Sequence, residues 1–355
     1  MRKANMTRRT LLATAGLSMA SLVACGSNPL ASGESGQKSK KIVMVTNVGG
    51  VNDRGFCELS WAGLKRLEED HGYDVSYIES RLDADYATNI DKAIDYGADF
   101  VWSIGFAMAD AAAFAAKINP DLDVKFGIVD AGTSGSSNLT GVLFAAEEPS
   151  FVVGYIAGRT TKSDKVGFLG GIESDNIYAF EYGYLAGVDF AAREQGKKIE
   201  VMRQYAESFS DNAKGKSIAQ KMISGGADVL FHAAGSTGVG MIEAVEEAGK
   251  FAIGVDMDQS ELAPSCVLTS AIKRVDQALY DLTPKLLDGK VEGGIDVTLR
   301  LADGNYLGIP DEYGLMGQEV YDAAQEVIEK IKAQEIRVPA TQDDYKRFSA
   351  ELGTA

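Results

Sequence analysis

The sequence predicts an α/β protein built from two doubly wound domains with parallel sheets. Three observations predict it: short apolar runs lack the polar alternation of half-exposed strands, helical stretches separate these runs, and the strand–helix series begins twice. Strands of this kind belong to parallel sheets that are covered on both faces. Two such series indicate two domains, and a chain of 355 residues is long enough for both.

The first 24 residues predict an export signal. They contain four basic residues and no acidic one, and the apolar run Leu11–Ala24 is shorter than the ~20 residues of a membrane span. The run leads into Leu-Val-Ala-Cys, which resembles a bacterial lipobox and predicts acylation of Cys25. Residues 25–40 predict a flexible tether rich in glycine and serine. We expect a lipid anchor at the extracytoplasmic face of the cell membrane, with plain secretion as the alternative.

The export route stays open between ordinary secretion and the twin-arginine pathway, because Thr7–Leu12 resembles a twin-arginine signal.

The first series of elements follows the tether. Its strands are predicted at Lys41–Thr46, Val75–Ile78, Phe100–Ile104 and Lys125–Val129, with helices at Glu58–Asp70, Ala87–Tyr96 and Met108–Ile118. The helix at Glu58–Asp70 carries a stripe of leucine and alanine at helical spacing, which is typical of an element with one buried face.

A helix at Ser150–Thr160 precedes the second series. Strands are predicted at Val166–Leu169, Ile199–Met202, Val229–Phe231 and Phe251–Val255, with helices at Tyr178–Arg193, Ala213–Ile223 and Val239–Glu247. The two series share an architecture without being a close sequence repeat.

Ligands of such sheets bind beyond the carboxyl ends of the strands. The segments that follow the predicted strands are polar and rich in glycine, aspartate and phenylalanine: Asn47–Phe56, Gly105–Asp110, Asp130–Thr133, Gly170–Asp175, Tyr205–Phe209, Ala233–Gly240 and Asp256–Ser260. Two domains that face each other with these edges predict an interdomain ligand cleft.

Composition excludes several classes of function. The 51 acidic and 35 basic residues give a net charge of −16, which argues against a nucleic-acid partner. With only two histidines, His71 and His232, a multi-histidine metal site is nearly excluded, and we expect neither a metal nor a cofactor.

Two segments resemble nucleotide-binding motifs but depart from them. Gly215-Lys216-Ser217 would end a P-loop, but Ser210 stands where that loop needs glycine. The segment Gly235–Gly240 has Thr237 in place of the second glycine of a dinucleotide fingerprint. Without a catalytic motif, we expect a protein that is not an enzyme, with a membrane-anchored enzyme as a remote alternative.

The two cysteines beyond the lipobox carry little signal. Cys57 lacks a demonstrable base that would make it a nucleophile. Cys57 and Cys266 could form a disulfide or be two small, half-buried residues, and the sequence leaves both possibilities open.

Several segments together resemble the basic membrane protein family of substrate-binding lipoproteins, near its purine nucleoside receptor branch. They begin with Asn52–Phe56 and Trp61–Gly63 and continue through Gly167–Gly171, Phe180–Gly187, Ser208–Phe209, His232–Gly235, Gly254–Gln259 and Thr269–Lys273 to Val338–Pro339, Tyr345 and Phe348. The resemblance implies a type I periplasmic-binding-protein fold, with a hinge crossed near residues 147–150, 256–260 and 290–296.

These crossings imply two discontinuous domains. Residues 41–147 and 257–292 would form the first, and residues 148–256 and 293–355 the second. The implied function is that of a monomeric receptor that binds a nucleoside, in particular a purine nucleoside, and delivers it to an ABC permease in the membrane.

The resemblance also implies site residues. Phe56 and Phe209 match its stacking positions, one from each domain, and Asp256 and Lys273 match positions that hold the sugar. Asp130 would accept hydrogen bonds from the sugar or the base.

Four further positions complete the expected ligand-binding set. Gly235 would let the main chain approach the ligand. Asp53 is either a ligand contact or an N-cap of the first helix. Asn47 stands where the family usually has aspartate, and Cys57 where it usually has asparagine. Because asparagine donates hydrogen bonds as well as accepting them, these departures leave open a different base, or a sugar or other small polar ligand such as a furanose.

Overall fold

The computed structural model describes residues 39–354, within which twelve strands form two six-stranded sheets. We call each sheet with its helices a lobe. The predicted signal (residues 1–24), Cys25 and most of the predicted tether (residues 25–40) lie outside the described residues.

The first lobe contains six parallel strands in the order β11-β5-β4-β3-β1-β2. These strands are β1 (Lys41–Thr46), β2 (Asp74–Ile78), β3 (Phe100–Ile104), β4 (Lys125–Val129), β5 (Leu139–Phe144) and β11 (Asp296–Leu299). Its helices are α1 (Phe56–His71), α2 (Tyr86–Asp95), α3 (Ala109–Ile118) and α8 (Val275–Leu287).

The second lobe has the strand order β12-β10-β9-β8-β6-β7, with the edge strand β12 antiparallel to β10. These strands are β6 (Lys165–Gly170), β7 (Glu200–Tyr205), β8 (Val229–Ala233), β9 (Phe251–Asp256), β10 (Val267–Lys273) and β12 (Leu307–Gly308). Its helices are α4 (Glu147–Thr160), α5 (Asp175–Glu194), α6 (Asn212–Ser224), α7 (Ser236–Glu247), α9 (Gln318–Lys332) and α10 (Gln342–Thr354).

Both faces of each sheet are buried, which explains the continuous apolar runs. Along β1, Ile42 and Met44 belong to one hydrophobic cluster, whereas Val43 and Val45 belong to another on the opposite face. Because successive side chains of a strand point to opposite faces, a strand covered on both sides needs apolar residues at every position. The predicted doubly wound α/β architecture is confirmed.

Glycines allow the helices of each lobe to approach closely. A Cβ at Gly187 of α5 would lie 2.0 Å from the Phe151 carbonyl oxygen of α4. In the first lobe, a Cβ at Gly63 of α1 would lie 2.4 Å from the Asp276 carbonyl oxygen of α8. These contacts explain the glycines within otherwise helical sequence.

The chain crosses between the lobes at places that partly differ from the expected ones. The first crossing, between β5 and α4, lies next to the expected residues 147–150. The expected assignment of residues 257–292 to the first domain is wrong for Val267–Lys273, because this strand pairs with β9 in the second sheet. The second crossing follows at Arg274, since α8 packs on α1 in the first lobe.

The third crossing also lies later than expected. Asp296–Leu299 falls in the segment assigned to the second domain, but it pairs with β5 in the first sheet. The chain then returns to the second lobe after Leu299, beyond the expected residues 290–296.

Cys57 and Cys266 are both buried free cysteines, so the disulfide is not formed. No helix among residues 39–354 combines the length and the apolar character needed to cross a membrane.

Candidate functional site

A cavity lies between the lobes at the carboxyl ends of their strands. The space between its lining atoms measures about 620 Å³, part of which is open to solvent. Eight of the nine expected ligand-binding residues line it: Asn47, Asp53, Phe56, Asp130, Phe209, Gly235, Asp256 and Lys273. The ninth residue, Cys57, is fully buried and is not among the lining residues.

Lys273, the last residue of β10, supplies a positive charge that links the lobes. Its ammonium donates to Asp130 Oδ2 at 2.7 Å and lies 3.9 Å from Asp256 Oδ1. The Lys273 side chain is 4% exposed, so the interaction is only weakly screened by solvent. The ammonium also lies 4.6 Å from the centroid of the Phe56 ring, within the range of a cation–π contact.

Asp130 and Asp256 occupy equivalent positions in the two lobes, Asp130 directly after β4 and Asp256 at the end of β9. Both have a left-handed backbone, with φ of 64° and 66°, a conformation that aspartate adopts more readily than most residues. Burial raises the pKa of Asp256 to about 7, although the Lys273 ammonium opposes the increase. Among residues 39–354, no hydrogen-bond donor reaches the Asp256 carboxylate, which therefore has acceptor capacity for a ligand.

Phe56 and Phe209 reach the cavity from opposite lobes. Phe56 begins α1, and Phe209 lies in the loop between β7 and α6. The Phe209 ring packs so closely on Gly171 that a Cβ at position 171 would lie 2.2 Å from Cε1 of the ring. Phe106 of the first lobe contacts the same ring edge-on, with centroids 6.1 Å apart.

The loop that carries Phe209 is fixed to the beginning of α7. Ser236 Oγ donates to the Phe209 carbonyl oxygen at 3.1 Å, and the Thr237 amide donates to it at 3.2 Å. Gly235 has φ of 54°, and a Cβ there would lie 3.0 Å from the same carbonyl oxygen. Glycine at position 235 therefore allows the Phe209 loop to pack against the beginning of α7. That Gly235 also lets a ligand approach the main chain stays a prediction.

Asp53 acts as the cap of α1 while lining the cavity. Its carboxylate accepts hydrogen bonds from the amides of Gly55, Cys57 and Glu58 at 3.1, 2.9 and 3.1 Å. Burial raises the Asp53 pKa, and these amide bonds oppose the increase. The N-cap residue is Gly55, so the expected N-cap position of Asp53 is wrong, although its carboxylate caps the helix from two residues earlier. Direct ligand contact stays a prediction.

Cys57 lies behind Asn47. Its thiol donates to Asn47 Oδ1 at 3.3 Å, and the Gly49 amide donates to the same oxygen at 2.8 Å. Burial raises the Cys57 pKa well above its usual value, which keeps the thiol protonated. Cys57 thus acts on the cavity through Asn47.

Two further hydrogen bonds join the lobes beside the cavity. Asn176 Nδ2, in the first turn of α5, donates to the Asp130 carbonyl oxygen at 2.6 Å. Gln259 Nε2 donates to the Arg54 carbonyl oxygen at 2.9 Å. Together with the Lys273–Asp130 bond, they hold the lobes together around the cavity.

Several lining residues escaped the sequence analysis as site candidates: Phe106, Asn176, Ile177 and Phe180. Phe106 lies in Gly105–Asp110, a segment that follows a predicted strand, and this position could have identified it as a site candidate. Asn176, Ile177 and Phe180 lie in the first turns of α5, and their approach to the other lobe depends on how the lobes face each other.

The family model described as ABC transporter substrate-binding protein PnrA-like matches residues 40–342. The chain belongs to this family. The resemblance inferred from the sequence is thereby confirmed. As a member, the chain is a substrate-binding protein of ABC transporters and not an enzyme.

Relatives of known name cover nearly the whole chain. Basic membrane protein A of Borreliella afzelii is 37% identical over 329 residues, which cover 90% of this chain and 98% of that protein. The ABC transporter nucleoside-binding protein BmpA of Lactococcus lactis subsp. cremoris is 36% identical over 349 residues, covering 91% of this chain and 97% of that protein.

Solved structures agree on the fold. An ABC transporter solute-binding protein from Aeropyrum pernix K1 superimposes with a TM-score of 0.79 at 26% identity, covering 89% of this chain and 98% of the other. A solute-binding protein from Conexibacter woesei gives a TM-score of 0.68 at 20% identity, covering 85% of this chain and 99% of the other. At that identity the likeness supports the fold alone.

Proposed function

We propose that the chain binds a nucleoside, and a purine nucleoside in particular, between its lobes and delivers it to an ABC permease. The observation that carries the proposal is the combination of two aromatic rings and a buried lysine–aspartate cluster around one cavity. The name of the Lactococcus relative, a nucleoside-binding protein, supports it.

The aromatic rings suit a nucleobase. A base has two apolar faces, and each face stacked on an aromatic side chain contributes ~1–3 kcal/mol. Phe56 and Phe209 come from different lobes, so a base between them would contact both lobes and favour their closed arrangement.

The charged cluster suits a sugar. Ribose hydroxyls donate and accept hydrogen bonds, and carboxylate and ammonium groups match both roles. The Asp256 carboxylate is ready to accept, while the Lys273 ammonium keeps donor capacity beyond its bond to Asp130.

Ligand binding and lobe closure would be coupled. A ligand shifts an open–closed equilibrium only through its greater affinity for the closed state. Contacts to Phe56 and Asp130 on one lobe and to Phe209, Asp256 and Lys273 on the other would exist together only in the closed state. The closed form would then dock on the permease.

Membrane attachment forms the second part of the proposal. Acylation at Cys25 would hold this acidic protein at the extracytoplasmic face of the membrane, as expected from its lipobox. The test is fractionation of cells that express the native chain or Cys25→Ala. We expect the variant to leave the membrane fraction, and its full retention there would contradict the anchor.

Ligand binding is tested by isothermal titration of purified protein that has been unfolded and refolded to remove carried ligand. The panel comprises purine and pyrimidine nucleosides, free bases, ribose and other sugars. We expect one-to-one binding of a purine nucleoside that exceeds binding of its free base and of ribose. Phe56→Ala should weaken it, whereas Phe114→Ala, at an exposed position on α3, should not.

Two results would contradict the proposal. Tight binding of a sugar without binding of any nucleoside would assign the cavity to another small polar ligand. Binding of nucleosides that is insensitive to both Phe56→Ala and Asp256→Asn would place their site elsewhere.

A further inference from the structure

The side-chain amide of Asn47 has a fixed orientation. Its oxygen accepts from the Gly49 amide at 2.8 Å and from the Cys57 thiol at 3.3 Å. An amide nitrogen cannot accept from these donors. The hydrogen-bond network therefore requires Oδ1 to face Gly49 and Cys57, and Nδ2 to face the other way.

Nδ2 of Asn47 is an unused donor at the cavity wall. Among residues 39–354 it has no hydrogen-bond acceptor, and a Cβ at Gly105 would lie 2.9 Å from it. Asn47, Gly49 and Gly105 all line the cavity. At this wall Nδ2 of Asn47 can donate a hydrogen bond to a ligand, whereas Oδ1 already accepts two hydrogen bonds from the protein.

Asn47 is separated from the charged cluster. It follows β1, whereas Asp130 follows β4, and β3 lies between these strands. Two strand spacings amount to about 10 Å. If the Lys273–Asp130–Asp256 cluster holds the sugar, Asn47 can contact the edge of the base.

Purine bases differ at this kind of contact. The 6-oxopurines present the adjacent acceptors O6 and N7, whereas adenine presents the N6 amino donor beside N7. Asparagine that reads adenine with two bonds donates to N7 and accepts from the N6 amino group. The oxygen of Asn47 is not free to accept, so the amino group of adenine would face a second donor.

We propose that Asn47 makes the site selective for 6-oxopurine nucleosides, inosine and guanosine, over adenosine. The inference rests on the proposed function and assigns the class of base within it. A matched pair of hydrogen bonds to a base edge discriminates on the order of 10-fold or more.

The test compares inosine, guanosine and adenosine by isothermal titration of native protein, Asn47→Asp and Asn305→Asp. Asn47→Asp preserves an oxygen for Gly49 and Cys57 and replaces the donor with an acceptor. Asn305→Asp adds the same charge at an exposed position outside the cavity. The titrations are run at pH 8, and thermal unfolding verifies that each variant is folded.

The native protein should bind inosine and guanosine at least about 10-fold more tightly than adenosine. Asn47→Asp should reverse this preference, and Asn305→Asp should preserve it. A second readout uses only native protein: 7-deazaguanosine, which lacks N7, should bind more weakly than guanosine.

The selectivity role of Asn47 would be overturned if native protein bound adenosine as tightly as inosine. It would also be overturned if folded Asn47→Asp kept the native preference, or if this substitution lowered the affinity for all three nucleosides equally. Equal binding of guanosine and 7-deazaguanosine would also overturn it. If native protein bound no nucleoside at all, the proposed function would fail, and this inference with it, which is a distinct result.

Discussion

Lys273 and Asp130 form an ion pair across the cavity, with Nζ and Oδ2 2.7 Å apart although the residues belong to different lobes. Their side chains are 4% and 14% exposed. Asp256 Oδ1 lies 3.9 Å from the same ammonium. One cation thus attracts carboxylates at the strand ends of both sheets and favours the closed arrangement.

Lys273→Met should weaken nucleoside binding by about 100-fold or more, because it leaves two buried carboxylates without their cation. Removal of one member of a buried ion pair costs ~3–5 kcal/mol, so the thermal midpoint should fall as well. Titration and thermal unfolding measure the two effects. The control is Lys290→Met, whose exposed pair with Asp288 should contribute less than about 1 kcal/mol. Equal effects of both substitutions would contradict the assigned role of Lys273.

Phe209→Ala should lower nucleoside affinity by about 5- to 150-fold, which corresponds to the ~1–3 kcal/mol of one stacked base. Phe209→Tyr preserves the ring and should retain most of the affinity. Affinity for ribose alone should be the same in all three proteins, because ribose has no face to stack. If Phe209→Ala weakened ribose and nucleoside equally, the ring would act on closure instead of on the base.

The Asp256 pKa of about 7 predicts a pH dependence of binding. Below this pKa the carboxyl is protonated in the free protein and ceases to be a full acceptor. Affinity should therefore be constant above about pH 8 and fall by up to ~10-fold per unit below the pKa. Asp256→Asn should bind weakly with a flat profile between pH 6 and 8.

Glu147 provides a matched control for this profile. Burial also raises its pKa to about 7, but it does not line the cavity. Glu147→Gln should preserve the pH dependence of affinity. If this substitution flattened the profile and Asp256→Asn did not, the titrating group would not be the cavity carboxylate.

The strands that sequence predicts best are those buried on both faces. Phe100–Ile104 and Lys125–Val129 match the prediction to the residue, because all their positions except the half-buried Lys125 are apolar or small. Leu139–Phe144 escaped prediction, since Thr140 and Gly141 interrupt its apolar run. Most helices begin earlier than predicted, as at α5, where the Ser174 hydroxyl accepts from the Ile177 amide and permits helix from Asp175 onward.

The candidate site shows the same division between local and long-range information. Asp130 and Asp256 could be found because strand ends meet at one edge of a parallel sheet. Asn176 could not, because its bond to the Asp130 carbonyl oxygen depends on the approach of the lobes. Nor could sequence reveal that Cys57 supports Asn47 from behind, since this requires the packing of α1 against β1.

His232 predicts a pH dependence of stability. It is fully buried, and its Nε2 lies 2.9 Å from Gln259 Oε1, which also accepts from the Val255 amide. An amide oxygen can only accept, so Nε2 carries the proton. Nδ1 has no partner within residues 39–354, and burial lowers the His232 pKa from 6.5 to about 4.

Between about pH 4 and 6.5 the unfolded chain binds a proton at His232 and the folded protein does not. The contribution of His232 is therefore fully present above about pH 6.5 and is lost as the pH falls toward 4. Gln is a non-titrating replacement that can still donate to Gln259. The native free energy of unfolding, relative to that of His232→Gln, should rise with pH through this window by up to ~1.4 kcal/mol per unit.

Denaturant unfolding at several pH values measures the difference in the free energy of unfolding between native protein and His232→Gln. Asp256 and Glu147 contribute to stability with the opposite pH dependence, but both proteins retain them, so their contributions cancel in the difference. Above about pH 7 the difference should be constant. If the difference did not change between pH 4 and 6.5, His232 would become protonated inside the folded protein. Nδ1 would then have to gain a hydrogen-bond partner. This would require a rearrangement around Gly238, whose backbone packs against the His232 ring.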